Sequence, residues 1–245
     1  MRSLKFSGKY GIFALFFALC ALAGAAFASD VDNSIVWTND TEAVLSGDHT
    51  WDTTDAAKSP VKIDLKGYTL TFGSTGANVI SGDRVTVTSA SGDAKIAGGV
   101  DFIYGTKLVE NFKILAPNLW VIGANKEAIA GASTDITVKN VTMSGDVSDN
   151  WRDKQFKIVG GGLNTTVDLS SSTVAVEDSI VGHSVYGGSV ITTGSTGVSV
   201  DKTLVNINSG AKVVRSVYGG GESRVKDITS TVGQSHIIVN KGASI

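Results

Sequence analysis

The sequence predicts an all-β fold in which short strands stack in parallel coils, a parallel β-helix or β-solenoid. Three observations carry that expectation. Apolar and polar residues alternate with a period of two along most of the chain, as in Tyr68-Thr69-Leu70-Thr71-Phe72, which is the spacing of a strand with one buried face. Glycine supplies 29 of 245 residues and proline only 2, so turns are frequent but belong to ordered structure. Val-Tyr-Gly-Gly occurs at Val185-Tyr186-Gly187-Gly188 and again at Val217-Tyr218-Gly219-Gly220, and self-similarity at a fixed interval marks stacked units.

The first element is a leader. Arg2, Lys5 and Lys9 precede the apolar run GIFALFFALCALAGAAFA from Gly11 to Ala28, which ends in Ala26-Phe27-Ala28. A basic start, an apolar middle and a small-residue end make a secretory signal peptide, residues 1–28, with cleavage expected before Ser29. An uncleaved anchor is the alternative, since about eighteen apolar residues barely span a bilayer. The Ala/Gly-rich end favours cleavage. Cys20 lies inside the leader, and Phe17-Ala18-Leu19 ahead of it makes a poor lipoprotein signal. The exported chain then has no cysteine, and its stability rests on a core and paired backbone rather than disulfides.

What remains is about 217 residues, long enough for one sizeable core. Without Arg2, Lys5 and Lys9, 18 basic residues face 23 acidic ones, a formal charge of −5. No basic footprint for nucleic acid is present. Residues 29–60, with Trp37 and Trp51, are less regular and are expected to cap the first coil. From Val61 onward the period-two pattern recurs in Val61-Lys62-Ile63-Asp64-Leu65, Val85-Thr86-Val87-Thr88, Ile136-Thr137-Val138, Val167-Asp168-Leu169, Val198-Ser199-Val200 and Val205-Asn206-Ile207. Turn formers separate these runs, Ser-Gly-Asp among them at 46, 81, 91 and 144. The best helical stretch, Ala124 to Ala132, is short and interrupted by Gly131.

The repeat extends beyond one motif, because the same shift of thirty-two lays Asn208-Ser209-Gly210-Ala211 on Asn240-Lys241-Gly242-Ala243. Weaker copies stand at Ile158-Val159-Gly160-Gly161, Val121-Ile122-Gly123-Ala124 and Ile103-Tyr104-Gly105. Their unequal spacing implies a fixed core position with loops of different length. In a stack of coils Tyr186 lies under Tyr218, with Val185 and Val217 on the opposite face, and each Gly-Gly makes a corner needing positive φ or close backbone approach. Three strands and their turns take roughly 22 residues. The next copy would fall at about 249–252, so residues 61–245 are expected to be coils of a longer protein, cut within a repeat. A partner covering the final coil is the alternative.

The phrase Val61-Lys62-Ile63-Asp64-Leu65-Lys66-Gly67-Tyr68-Thr69-Leu70 resembles the early coils of pectin-lyase-like right-handed β-helix proteins. Together with the Val-Tyr-Gly-Gly repeats behind a signal peptide, it resembles the passenger regions of bacterial autotransporter adhesins and related surface proteins. The resemblance covers roughly Val61 to Ile245. It implies Sec export, display at the cell surface, a right-handed coil, and attachment through a C-terminal outer-membrane barrel that this chain does not contain.

Candidate chemistry is sparse. Asp146, Asp149 and Asp153 with Trp151 form the densest acidic and aromatic cluster, open to calcium and sugar but lacking the Asp-x-Asp-x-Asp-Gly order of a calcium loop; a solvated loop is the expectation. His49, His183 and His236 are the only histidines, with no Gly-x-Ser-x-Gly elbow and no metal-ligand spacing. His183 occupies the repeat position of Arg215 and reads as an exposed variable site. Tyr68, Tyr104, Tyr186 and Tyr218 are expected to form a stacked ladder rather than a carbohydrate-binding strip. The Ser-Gly-Asp segments share no period and read as turns. Asn39, Asn140 and Asn164 open Asn-x-Thr sequons.

No catalytic, cofactor or metal residue is therefore assigned. The expected function is a non-enzymatic, secreted or surface-displayed rod for adhesion or aggregation. Its partners would be a host or neighbouring-cell surface protein or glycan, with no nucleic acid, and membrane attachment only through a part outside this chain. A polysaccharide lyase or hydrolase on the same scaffold is the alternative, and an Arg/Lys groove or paired carboxylates on adjacent coils would favour it. A spacer for a separate functional domain is a third reading.

Overall fold

The computed structural model describes residues 34–74, 76–115, 118–143, 155–194 and 196–245. The expected leader, Cys20 and the segment 144–154, which carries Asp146, Asp149, Trp151 and Asp153, lie outside the described residues.

The chain is all-β. Its strands are β1 (Ile35–Trp37), β2 (Glu42–Leu45) and β3 (His49–Trp51), then, after one helical turn α1 (Thr53–Ala56), β4 (Lys62–Asp64), β5 (Thr69–Phe72), β6 (Val79–Thr88) and β7 (Lys95–Ala97). There follow β8 (Val100–Ile114), β9 (Asn118–Ile122), β10 (Ser133–Met143), β11 (Lys157–Val159), β12 (Leu169–Glu177), β13 (Ile180–Val181) and β14 (Ser184–Tyr186). The last are β15 (Val190–Ile191), β16 (Val198–Ile207), β17 (Lys212–Val213), β18 (Ser216–Tyr218), β19 (Glu222–Ser223) and β20 (Ser230–Val239).

Pairing is parallel between all described strands except β1 and β2, which run antiparallel. The longest path through the main sheet runs β1-β2-β4-β6-β8-β10-β12-β16-β20. Along it one column is aliphatic at every rung: Ala43, Ile63, Val87, Val109, Val138, Val176, Ile207 and Val239 are successive register partners. All but Val239 are buried. Because side chains of paired strands stack at about 4.8 Å, this column forms a continuous spine of the core. A second path stacks Ile103, Val121, Ile158, Val185 and Val217, the five repeat positions read from the sequence despite their unequal spacing.

Strand β6 joins what the sequence divides. Ser81-Gly82-Asp83, expected as a turn, lies inside it, because Gly82 lets the chain press against Pro60: a Cβ there would stand 2.1 Å from the Pro60 carbonyl oxygen. Alternation then slips, Asp83 and Arg84 are both exposed, and Arg84 takes φ 57°. The same device bends β8 at Asn111 (φ 61°) and β10 at Asn140 (φ 49°), asparagine being among the side chains that tolerate the left-handed region. These corners are also cross-linked, since Asn140 Nδ2 donates to Asn111 Oδ1 at 3.0 Å.

At Gly187 the repeat glycine acts through close approach, whereas Gly105, in an earlier copy, also takes a positive φ of 66°. Neither Gly187 nor Gly188 has a positive φ, but a Cβ on Gly187 would meet the Gly219 carbonyl oxygen at 2.5 Å.

Candidate functional site

Strands β11, β14 and β18 lie side by side with Ile158 on Val185 and Ser184, Val185 and Tyr186 on Ser216, Val217 and Tyr218. Ile158 and Val185 enter the main core. Their neighbours Val159 and Tyr186 join a second apolar cluster with Trp120, Ile122, Leu163 and Val190. Alternation along β11 and β14 therefore buries both faces, and the flank of the second cluster collects polar side chains.

Gln155, Lys157, His183, Arg215, Glu222 and Arg224 line an open pocket there of about 290 Å³. Lys157 is 2% exposed; its register partner is Trp120, and the ammonium sits over that indole ring, 4.1 Å from the centroid, a cation–π contact. It also donates to Gln155 Oε1. Burial first, then Arg224 and Arg215 against the opposing pull of Glu222, lowers its pKa to about 8. On β19, Glu222 accepts from Arg224 Nε at 2.8 Å and Nη2 at 3.2 Å and from the Tyr186 hydroxyl. Burial works against the Glu222 charge, yet these donors bring its pKa below the ordinary value. Burial together with the Glu222 contact pushes Tyr186 up to about 12.

His183 corrects the sequence reading of an exposed variable site. It is 2% exposed, because its backbone amide bonds the Phe156 carbonyl and its carbonyl takes the Arg215 amide, which draws the residue into the stack. Arg215 Nη1 lies 2.8 Å from His183 Nε2, so the imidazole accepts from the guanidinium in its neutral form. Burial, then the charges of Lys157, Arg215 and Arg224, lowers its pKa to about 4.

The other candidates do not meet at this pocket. His49 bridges Asp55 Oδ2 and Ser34 Oγ, both at 2.8 Å. That serine–histidine–aspartate chain is fastened into a helix start, for Asp55 also accepts from the Asp52 amide and the Trp37 indole while Asp52 caps α1. It ties β1, β3 and α1 together in the segment expected to cap the first coil. His236 lies on β20 beside Leu204. Tyr186 and Tyr218 stack at 5.1 Å with planes 10° apart, whereas Tyr104 packs on Phe102 and Tyr68 stands in the turn before β5. The four tyrosines do not form one ladder. Ser46-Gly47-Asp48 and Ser91-Gly92-Asp93 are bends and turns.

Among the described residues no group of three His, Cys, Asp or Glu is placed to hold a metal ion, and no helix is long and apolar enough to cross a membrane. Lys157, Glu222 and Arg224 carry no motif; the one signal for Lys157 is a charge set within Phe156-Lys157-Ile158-Val159, an otherwise apolar run. Comparison with protein-family models, curated proteins and solved structures yields no match.

Proposed function

We propose that the chain is a right-handed parallel β-helix, exported by the Sec route after removal of residues 1–28 and displayed at the bacterial cell surface as an adhesin-like autotransporter passenger. Its role is adhesion or aggregation, not catalysis. The observation that carries this reading is the parallel pairing that runs from β2 to β20 along the main sheet with no antiparallel step. Such a stack makes a stiff ladder whose flanks present equivalent positions again and again, which suits weak contacts summed over many sites. Surface proteins or glycans of a host or neighbouring cell are the partners, and attachment to the outer membrane resides in a part outside this chain.

Beads coated with the purified protein are expected to clump with one another or to attach to cells, well above beads coated with an unrelated acidic protein. Coated beads that stay dispersed and unattached would reject the adhesive role.

One observation favours the enzymatic alternative. Lys157, Arg215 and Arg224 line one pocket, and a lyase needs a basic group for proton abstraction beside cations that neutralise a uronate. Incubation with acidic polysaccharides, followed by ultraviolet absorbance of unsaturated products, separates the two readings: the adhesive one expects no product.

A further inference from the structure

We propose that the pocket lined by Gln155, Lys157, His183, Arg215, Glu222 and Arg224 is a binding site for one oxyanion group, a carboxylate or a sulfate ester. Among the described residues three cations line it with a single carboxylate. That carboxylate is already engaged, with both oxygens on the Arg224 guanidinium and a further donor in Tyr186.

The nearest described contacts of the buried Lys157 ammonium, the Gln155 amide oxygen and the Trp120 ring face, carry no formal charge. Arg224 and Arg215 both act against the Lys157 charge, and a buried ammonium is costly unless it is compensated. An anion in the pocket would relieve both costs.

The site is also built. Trp120 supports the lysine stem and ring-facing head, Arg224 is held by Glu222, and Arg215 is held by a neutral His183 that accepts its hydrogen bond without adding charge. Arginine presents a planar fork suited to carboxylate or sulfate oxygens, and lysine a compact charge. Because β11, β14, β18 and β19 position these groups, no loop closure is required for a ligand to find them together.

This assignment supplies the recognition chemistry for the surface role proposed above and rests on that reading for its purpose. Binding is read separately from adhesion. Sodium sulfate and sodium acetate are titrated into the full exported chain by calorimetry at constant ionic strength set with sodium chloride, and thermal unfolding is followed in the same solutions. Saturable binding of one or both anions, weakened about tenfold or more in Lys157→Met and in Arg215→Gln, is expected. Binding of sulfate alone assigns a sulfate ester, and binding of acetate as well assigns a carboxylate.

Arg215 is exposed, so its variant keeps the test decisive if Lys157→Met fails to fold. Absence of saturable binding, or binding that both folded variants retain, would overturn the assignment. Anion binding with dispersed beads would instead reject adhesion and leave the pocket standing.

Discussion

Two buried titratable groups pull the stability of this protein in opposite directions with pH. Asp101 is fully buried on the face of β8 that also carries Ile103, whose side chain belongs to the core; desolvation outweighs the Gly99 amide and raises its pKa to about 7. A carboxyl that holds its proton more tightly when folded stabilises the fold below its unfolded pKa and loses that contribution as pH rises to about 7. The gap from the ordinary 3.8 corresponds to roughly 4 kcal/mol. Asp101→Asn is therefore expected to be more stable than the parent at pH 8 and nearly equal at pH 3.5, by urea unfolding. Equal stability at both pH values contradicts the assignment.

His183 has the reverse sign. Its folded pKa of about 4 lies below the ordinary 6.5, so its contribution is full at neutral pH and is lost as pH falls through that window. His183→Gln, which keeps an acceptor for Arg215, is expected to flatten the fall in melting temperature between pH 6.5 and pH 4; an unchanged slope counts against a buried neutral imidazole. Neither burial was legible in the sequence. Asp101 sits in the mainly apolar Val100-Asp101-Phe102-Ile103-Tyr104, which does not mark the inward face, and His183 aligns with Arg215 in the repeat, an arginine that the structure leaves exposed.

At the scale of the element, alternation and the Val-Tyr-Gly-Gly copies located the strands and their neighbours correctly, because both depend on which side chain faces the core. Strand ends were less legible. Val167 precedes β12, and Ser81-Gly82-Asp83 continues β6, since a positive φ at Arg84 bends the chain without ending its pairing. The glycine corners make a sharp prediction. Gly187→Ala places a methyl 2.5 Å from the Gly219 carbonyl oxygen, a backbone clash expected to cost at least about 2 kcal/mol. Gly92→Ala meets nothing within 4 Å and is expected to stay within about 0.5 kcal/mol of the parent. Equal unfolding midpoints for the two variants would deny that adjacent repeats touch at Gly187.

Over the whole molecule, the column that is buried from Ala43 to Ile207 reaches β20 uncovered. Ile237, Ile238 and Val239 are 43%, 46% and 48% exposed, and Tyr218 is 42% exposed beside its buried partner Tyr186. A strand with an open edge and apolar side chains invites pairing with another chain. A polypeptide spanning residues 34–245 alone is expected to self-associate with rising concentration in sedimentation velocity, and Ile238→Lys to suppress that association without lowering the melting temperature; a monomer insensitive to the substitution would contradict pairing through β20. The parallel pairing of β14 with β18 was legible from the repeat, whereas the charged flank was not, because it gathers residues from Gln155 to Arg224 that share no local pattern.

The fold rests on the register of β12 on β16 and of their neighbours along the main sheet. Residues 29–245 contain no cysteine, so pairs introduced in that segment report without interference. Ala175 and Asn206 are register partners across β12 and β16, within the reach of a disulfide, whereas Ala175 and Leu204 share a face but stand two residues apart in register. Mild oxidation of Ala175→Cys/Asn206→Cys is expected to close a disulfide in the folded protein, and Ala175→Cys/Leu204→Cys to remain largely reduced. Preferential closure of the second pair, or equal closure of both, would contradict the stacked register on which the fold and its proposed role depend.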